Sequence, residues 1–130
     1  MTEDGIVSLA SRYSARETIQ RLVTALPAHN MTVFARVDHA ANAVAAGMAL
    51  RPTDLVIFGN PKGGTVLMQD QQSAGLDLPL KALVWEDADG KVWVSYIDPL
   101  WIARRYGIGS AAAVQAMTTA MNAVAQAATS

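Results

Sequence analysis

The chain has 130 residues, and a domain of that length buries roughly two thirds of the surface its unfolded form exposes, enough for one core without staples. Apolar residues make up 52% and charged residues 16%, which excludes the disordered class of low hydrophobicity and high net charge. Ten basic and eleven acidic side chains give a formal net charge of -1 with no cysteine; without a basic block the chain is not a nucleic-acid binder, and disulfides, thiolate nucleophiles and thiolate metal ligands are ruled out.

The start, Met1-Thr2-Glu3-Asp4-Gly5, is acidic and lacks the positive head and long apolar centre of a secretory signal, so a cytoplasmic protein is expected. Ile6 to Tyr13 reads as a first strand with Ile6, Leu9 and Tyr13 buried. Ser14-Ala15-Arg16-Glu17 has capping-box spacing, so a helix begins at Ser14. Ile19, Leu22, Val23 and Leu26 form its apolar stripe, and Pro27 and Asn30 end it. Thr32 to Val37 is the second strand, its β-branched and aromatic residues suiting a pleated surface. Asp38 caps a short Ala-rich helix from His39 to about Met48, closed by the turn Arg51-Pro52-Thr53-Asp54.

Leu55 to Phe58 is a continuous apolar run, the pattern of a strand covered on both faces, and Gly59-Asn60-Pro61 terminates it. A helix is predicted from Thr65 to about Ser73, stopped by Gly75. Lys81 to Glu86 and Lys91 to Ile97 form a hairpin through Asp87-Ala88-Asp89-Gly90, where the glycine supplies a positive φ. Asp98 then caps a helix with Pro99 at its first position, running to Tyr106 and broken by Gly107. From Ser110 onward, Val114, Met117, Met121, Val124 and Ala128 make one narrow seam, read as a closing helix against the sheet. The uncharged stretch Tyr106 to Ser130 is long enough to cross a bilayer but is mostly small and polar, so no membrane partner is expected. The whole predicts one α+β domain over 1-130: an antiparallel-rich sheet of about five strands with helices packed against it, in the order β-α-β-α-β-α-β-β-α-α.

Asn60, Lys62, Gly63, Gly64 and Thr65 stand between a strand and a helix, where glycine-flanked amides at a helix start can hold an anion. The spacing and Lys-Ser/Thr ending of a nucleotide-hydrolysing phosphate loop are missing. The competing reading is a tight turn in which Asn60 and Thr65 satisfy backbone groups. Alternation puts Lys81 on the same sheet side as Leu83 and Trp85, with Glu86 opposite. A lysine on an apolar face is either an anion partner or nucleophile, or a packed stem with a wet ammonium. Tyr96, near the Asp98-Pro99 loop, joins the ligand-binding candidates, while Trp85, Trp93 and Trp101 are assigned to the core.

Asp38-His39 pairs an acid with an imidazole, and His39 and Lys81 are the catalytic candidates. Adjacent strand residues point to opposite faces, so a cap by Asp38 beside an exposed His39 is the plainer arrangement. His29, at a helix end, is assigned to the surface, and two histidines without cysteine do not make a metal site by spacing. No cofactor fingerprint is present.

Several blocks recur in an order that resembles the domain of unknown function 302 family: Thr32 to His39, Leu50-Arg51-Pro52-Thr53, Phe58-Gly59-Asn60-Pro61-Lys62 with Gly64-Thr65 and Leu67-Met68, Asp77 to Lys81, Val84-Trp85-Glu86-Asp87, and Trp93 to Pro99. The resemblance implies a small bacterial α+β domain, commonly homodimeric, with no established activity and so no catalytic residues to carry over. The Ala-rich tail after Gly109 is less typical of the family pattern. The functional expectation is a domain that binds a small anionic or polar ligand at the 59-65 turn, with Lys81 and His39 converging there at one end of the sheet and Tyr96 as a further ligand-binding candidate. The alternatives are a protein-interaction or dimerisation module, or an enzyme using His39 and Lys81. The apolar content and the uncharged last helix add the expectation of a homodimer.

Overall fold

Ser14 sets the first helix: its hydroxyl accepts from the Glu17 amide at 3.2 Å and begins α1 (Ala15–Ala25). Glu17 pairs forward with Arg21 at 3.2 Å. In this computed structural model, which describes residues 4–130, the acidic start Met1–Glu3 lies outside the described residues. The stripe that α1 buries is Ala15, Thr18, Ile19 and Leu22, continued by Leu26, whereas Val23 falls on its flank and is 37% exposed. Asn30 takes the left-handed conformation (φ 59°) after a 3-10 turn at Pro27–His29, as the Pro27 and Asn30 signals predict.

Five strands, β1 (Ile6–Ser11), β2 (Thr32–Asp38), β3 (Thr53–Gly59), β4 (Leu80–Glu86) and β5 (Val92–Ile97), form one antiparallel sheet in the order β1-β5-β4-β3-β2. Alternation divides its residues cleanly. Val56, Phe58, Leu80, Ala82, Val84, Val92, Val94 and Tyr96 are buried in the core beneath α1 and α5 (Ala111–Thr129). Leu55, Ile57, Lys81, Leu83, Trp85, Trp93 and Ile97 point the other way and stay half-buried. So β3 is covered on one face only, and its apolar run reflects a second surface that is greasy without being closed. The antiparallel α+β architecture agrees with the expectation.

Two aromatic assignments change with it. Trp85 and Trp93, expected in the core, stack on the open face with ring centroids 6.4 Å apart. Their indoles donate to Ser95 Oγ and Asp87 Oδ2, each at 2.9 Å, which holds amphipathic rings at a half-wet surface. Trp101 is likewise half-buried, on α4 (Pro99–Tyr106).

The remaining helices close the ends. Asp38 Oδ1 accepts from the Ala41 amide at 2.9 Å and starts α2 (His39–Ala45), shorter than predicted. Asn60 caps α3 (Pro61–Asp70), which a 3-10 turn at Gln72–Leu76 follows. Asp98 and Pro99 start α4, and Gly107 ends it at φ 64°. The hairpin glycine Gly90 also has positive φ, 80°. On α5 the buried seam is Val114, Met121, Val124, Ala125 and Ala128, with Met117 only half-buried. Helix α5 therefore closes the core. Among the described residues no helix is long and apolar enough to cross a membrane.

Candidate functional site

Helix α3 begins four residues before the predicted Thr65, and the reason lies in Asn60-Pro61. Asn60 Oδ1 accepts from the Lys62 amide at 2.9 Å and the Gly63 amide at 3.4 Å, and the Asn60 carbonyl accepts from the Gly64 amide at 3.0 Å. Its amide group donates to the Asn30 carbonyl at 3.1 Å, tying the helix start to the turn before β2. A strong N-cap with proline at the first position outweighs two poor helix formers. The amides of Lys62, Gly63 and Gly64 thus have acceptors inside the protein, the backbone-satisfying role that the tight-turn reading gives Asn60.

What the segment does build is the wall of a cavity of about 810 Å³. One side is Gly59 to Thr65 with Met68 on α3; facing it are Ala113, Ala116, Met117 and Ala120 on α5. The turn from Ala28 to Met31 and the Leu78-Pro79-Leu80 entry to β4 close the ends. Phe34 joins them through a bulge: Val33 pairs with Phe58 and Ala35 with Ile57, leaving Phe34 as the extra residue of an edge strand. Its ring reaches Gly59, where a Cβ would stand 3.7 Å from Phe34 Cε2.

The cavity gathers Asn60, Lys62, Gly63, Gly64 and Thr65, and it omits Lys81 and Tyr96. Lys81 pairs with Ile57 on the open face, whereas its neighbour Leu80 lines the cavity, so the lysine points to the other side of the sheet. Tyr96 is 7% exposed on the core face of β5, and burial, with the Asp98 charge second, raises its pKa above the ordinary tyrosine value. His39 starts α2 at the far end of β2, exposed. Counting from Ala35, the rung in line with Lys81, it lies about 13 Å along the strand and about 10 Å across two strand spacings. The enzyme arrangement of His39 with Lys81 is therefore not assembled.

Sequence reasoning missed His29, Met31, Phe34, Met68 and Met117, all on the cavity wall. His29, assigned to the surface, is half-buried there. The bulge at Phe34 and the approach of α5 are tertiary events without a local signal. One signal was available: Gly63 and Gly64 lie inside a helix, and neither has the positive φ that would explain a glycine. A Cβ at Gly63 would meet Met117 Cε at 3.7 Å and one at Gly64 would meet Met68 Cε at 4.0 Å, both ordinary contacts. Neither backbone strain nor crowding requires these glycines, although each costs about 0.5–1 kcal/mol of helix stability relative to alanine.

Among the described residues, no group of three or more His, Cys, Asp or Glu is placed to hold a metal ion. Tyr106 donates to Asp77 Oδ2 at 2.5 Å and Arg105 pairs with the same oxygen at 3.3 Å, joining α4 to the segment before β4. The hydrogen bond to Asp77 raises the Tyr106 pKa above its ordinary value.

Comparison with known proteins places this geometry. The chain is 51% identical over 119 residues to the fluoride-specific ion channel FluC 1 of Brucella suis biovar 1, covering 90% of this chain and 47% of that protein. It is equally identical to FluC 1 of Brucella abortus biovar 1, of which it covers 44%. The chain thus spans less than half the length of these relatives. Its fold matches the crystal structure of an uncharacterized conserved DUF302 protein from Bacillus stearothermophilus, with a TM-score of 0.83, 16% identity, and coverage of 95% of this chain and 98% of that one. The model of the domain of unknown function DUF302 matches residues 7–127, and the chain belongs to that family.

Proposed function

We propose that this domain binds a small anionic or polar molecule in the cavity between the first turn of α3, the Ala28 to Met31 turn and α5. The observation that carries the reading is the glycine pair: Gly63 and Gly64 weaken their own helix, face the cavity and have room for a side chain. The gain from leaving that room empty is close approach of another molecule to the backbone. A volume of about 810 Å³ falls in the range of ligand pockets. Titration of the isotope-labelled protein with a library of small organic acids and polar fragments tests it. Saturable amide shifts confined to Gly63, Gly64, Thr65 and the facing turn of α5 are expected, and a library that moves none of them removes the reading.

A second reading, a homodimer, is favoured by the open sheet face. Its centre holds Leu55, Ile57, Leu83, Trp85 and Trp93, and Lys81 is its one charged residue among the strand positions described. Five strands about 4.8 Å apart and about 20 Å long make a face of roughly 24 by 20 Å, so two copies would bury about 1,000 Å², the lower bound of a specific interface. Helix α2 adds exposed Val44, and the segment that follows it adds exposed Met48. We commit to a second copy of the chain on this face rather than on α5, whose seam the core already uses. A dimer mass by light scattering that falls to the monomer in a Leu83→Glu variant is expected; a parent that is monomeric at micromolar concentration ends this reading.

We further infer that in the Brucella channels the membrane-crossing part lies in the half that this chain does not match, because no described helix here can cross a membrane. The shared domain is then an accessory part of those proteins. Expression of the unmatched half alone, with fluoride efflux retained, is the result that supports this; loss of all channel protein from the membrane in that truncation opposes it.

A further inference from the structure

The lining of the cavity narrows the chemical class of its ligand, an inference that rests on the ligand-binding reading proposed above. The wall is chiefly apolar. Met31, Met68 and Met117 are half of the six methionines in the chain, and flexible, polarisable thioethers suit an apolar body of variable shape. Phe34 and Leu78 add to the same wall.

The charge is one-sided. Among the described residues, the only lining side chains able to carry charge are His29 and Lys62, and no described aspartate or glutamate lines the cavity. The ion pairs of the described residues are Arg21 with Glu17, Arg36 with Asp54 and Arg105 with Asp77, so neither group is engaged in one. Asn60, by contrast, has both ends of its amide occupied within the protein. A bare inorganic anion would fill a small part of about 810 Å³ and leave the methionines against water. A neutral hydrocarbon would leave Lys62 unused.

We propose that the ligand class is an amphipathic monoanion: one carboxylate held at the Lys62 and His29 side of the cavity, with an apolar body lying along the methionines between α3 and α5. The lysine gives a charge-assisted hydrogen bond to the head and the thioethers pack on the tail. The two parts act together, so head and tail can be removed separately.

Isothermal titration of the full chain with decanoate below its micelle concentration, decanol, acetate, sulfate and fluoride separates the contributions. Saturable one-site binding of decanoate is expected, with decanol and acetate each at least about tenfold weaker. Lys62→Met, on an exposed residue whose stem is kept, should weaken decanoate about tenfold and leave decanol unchanged, with the melting temperature preserved. Decanol binding as tightly as decanoate, or decanoate indifferent to Lys62→Met, overturns the anionic head while the cavity reading stands. Saturable binding of acetate, sulfate or fluoride without decanoate overturns the apolar body and again leaves that reading intact. Failure of all five overturns this inference, and only an unresponsive fragment library would remove the broader one as well.

Discussion

Met117 Cε lies 3.7 Å from the point where a Cβ on Gly63 would stand, so the last helix reaches over the first turn of α3 without crowding it. The contact joins two segments far apart in sequence and sets the width of the cavity between them. It also gives a prediction in which stability and binding move in opposite directions. Gly63→Ala and Gly64→Ala should each stabilise the protein by about 0.5–1 kcal/mol and weaken any cavity ligand. Thermal melts paired with titration check this; a lower melting temperature in both variants would mean that these glycines serve the fold.

Asn60 should matter to stability more than an exposed residue ordinarily does. Its carbonyl oxygen caps α3 and its NH2 group holds the Asn30 carbonyl. Asn60→Ala is expected to cost about 0.5–2 kcal/mol in urea unfolding. An unchanged midpoint would show that Pro61 alone sets the helix start.

The two faces of the sheet predict different penalties. Phe58 is fully buried under the helices, and Phe58→Ala should cost about 3–5 kcal/mol. Trp93 is half-buried on the open face, so in the monomer Trp93→Ala should cost clearly less than Phe58→Ala despite the larger ring. Equal penalties, measured at a concentration where the protein is monomeric, would place the indole in the core.

Acid should loosen the hairpin before the core. Asp87 accepts from the Trp93 indole and from the Asp89 and Lys91 amides, each at 2.9 Å, and the indole hydrogen bond leads the causes that lower its pKa. A carboxyl whose pKa is depressed on folding contributes stability above its unfolded value and loses it as pH falls through the folded one. The Trp93 indole N–H resonance should therefore shift below the ordinary aspartate range, and Asp87→Asn should abolish that step. A pH-independent resonance in the parent protein would contradict the assignment.

Much of the fold was legible because it rests on local chemistry. Ser14, Asp38 and Asp98 cap the helices that their positions announce, Gly90 and Gly107 take the positive φ of their turns, and Asn30 takes that of its helix exit. The side of the sheet that lies bare was not legible, because a half-buried Leu55 and a buried Val56 look alike in a hydrophobic run. The site was half legible. Asn60 to Thr65 stood out by composition, while Lys81 was drawn in as a charge on an apolar sheet face, and the same alternation of β4 turns that face away from Leu80 and the cavity. His29, Phe34 and the methionines were out of reach because a bulge and a helix approach bring them together.

The pairing of β1 with β5 has a kinetic consequence. Ile6 lies opposite Ile97 and Ser11 opposite Val92, so among the described strands the first in sequence pairs only with the last. During synthesis β1 and α1 emerge long before a sheet exists to receive them, whereas β4 and β5 join through the short loop between Glu86 and Val92. Closing the large loop between β1 and β5 demands chain entropy that the local hairpin avoids. Refolding is expected to order the β4–β5 hairpin first and β1 last, and a nascent chain halted before β5 leaves its amino-terminal strand exposed to mispairing.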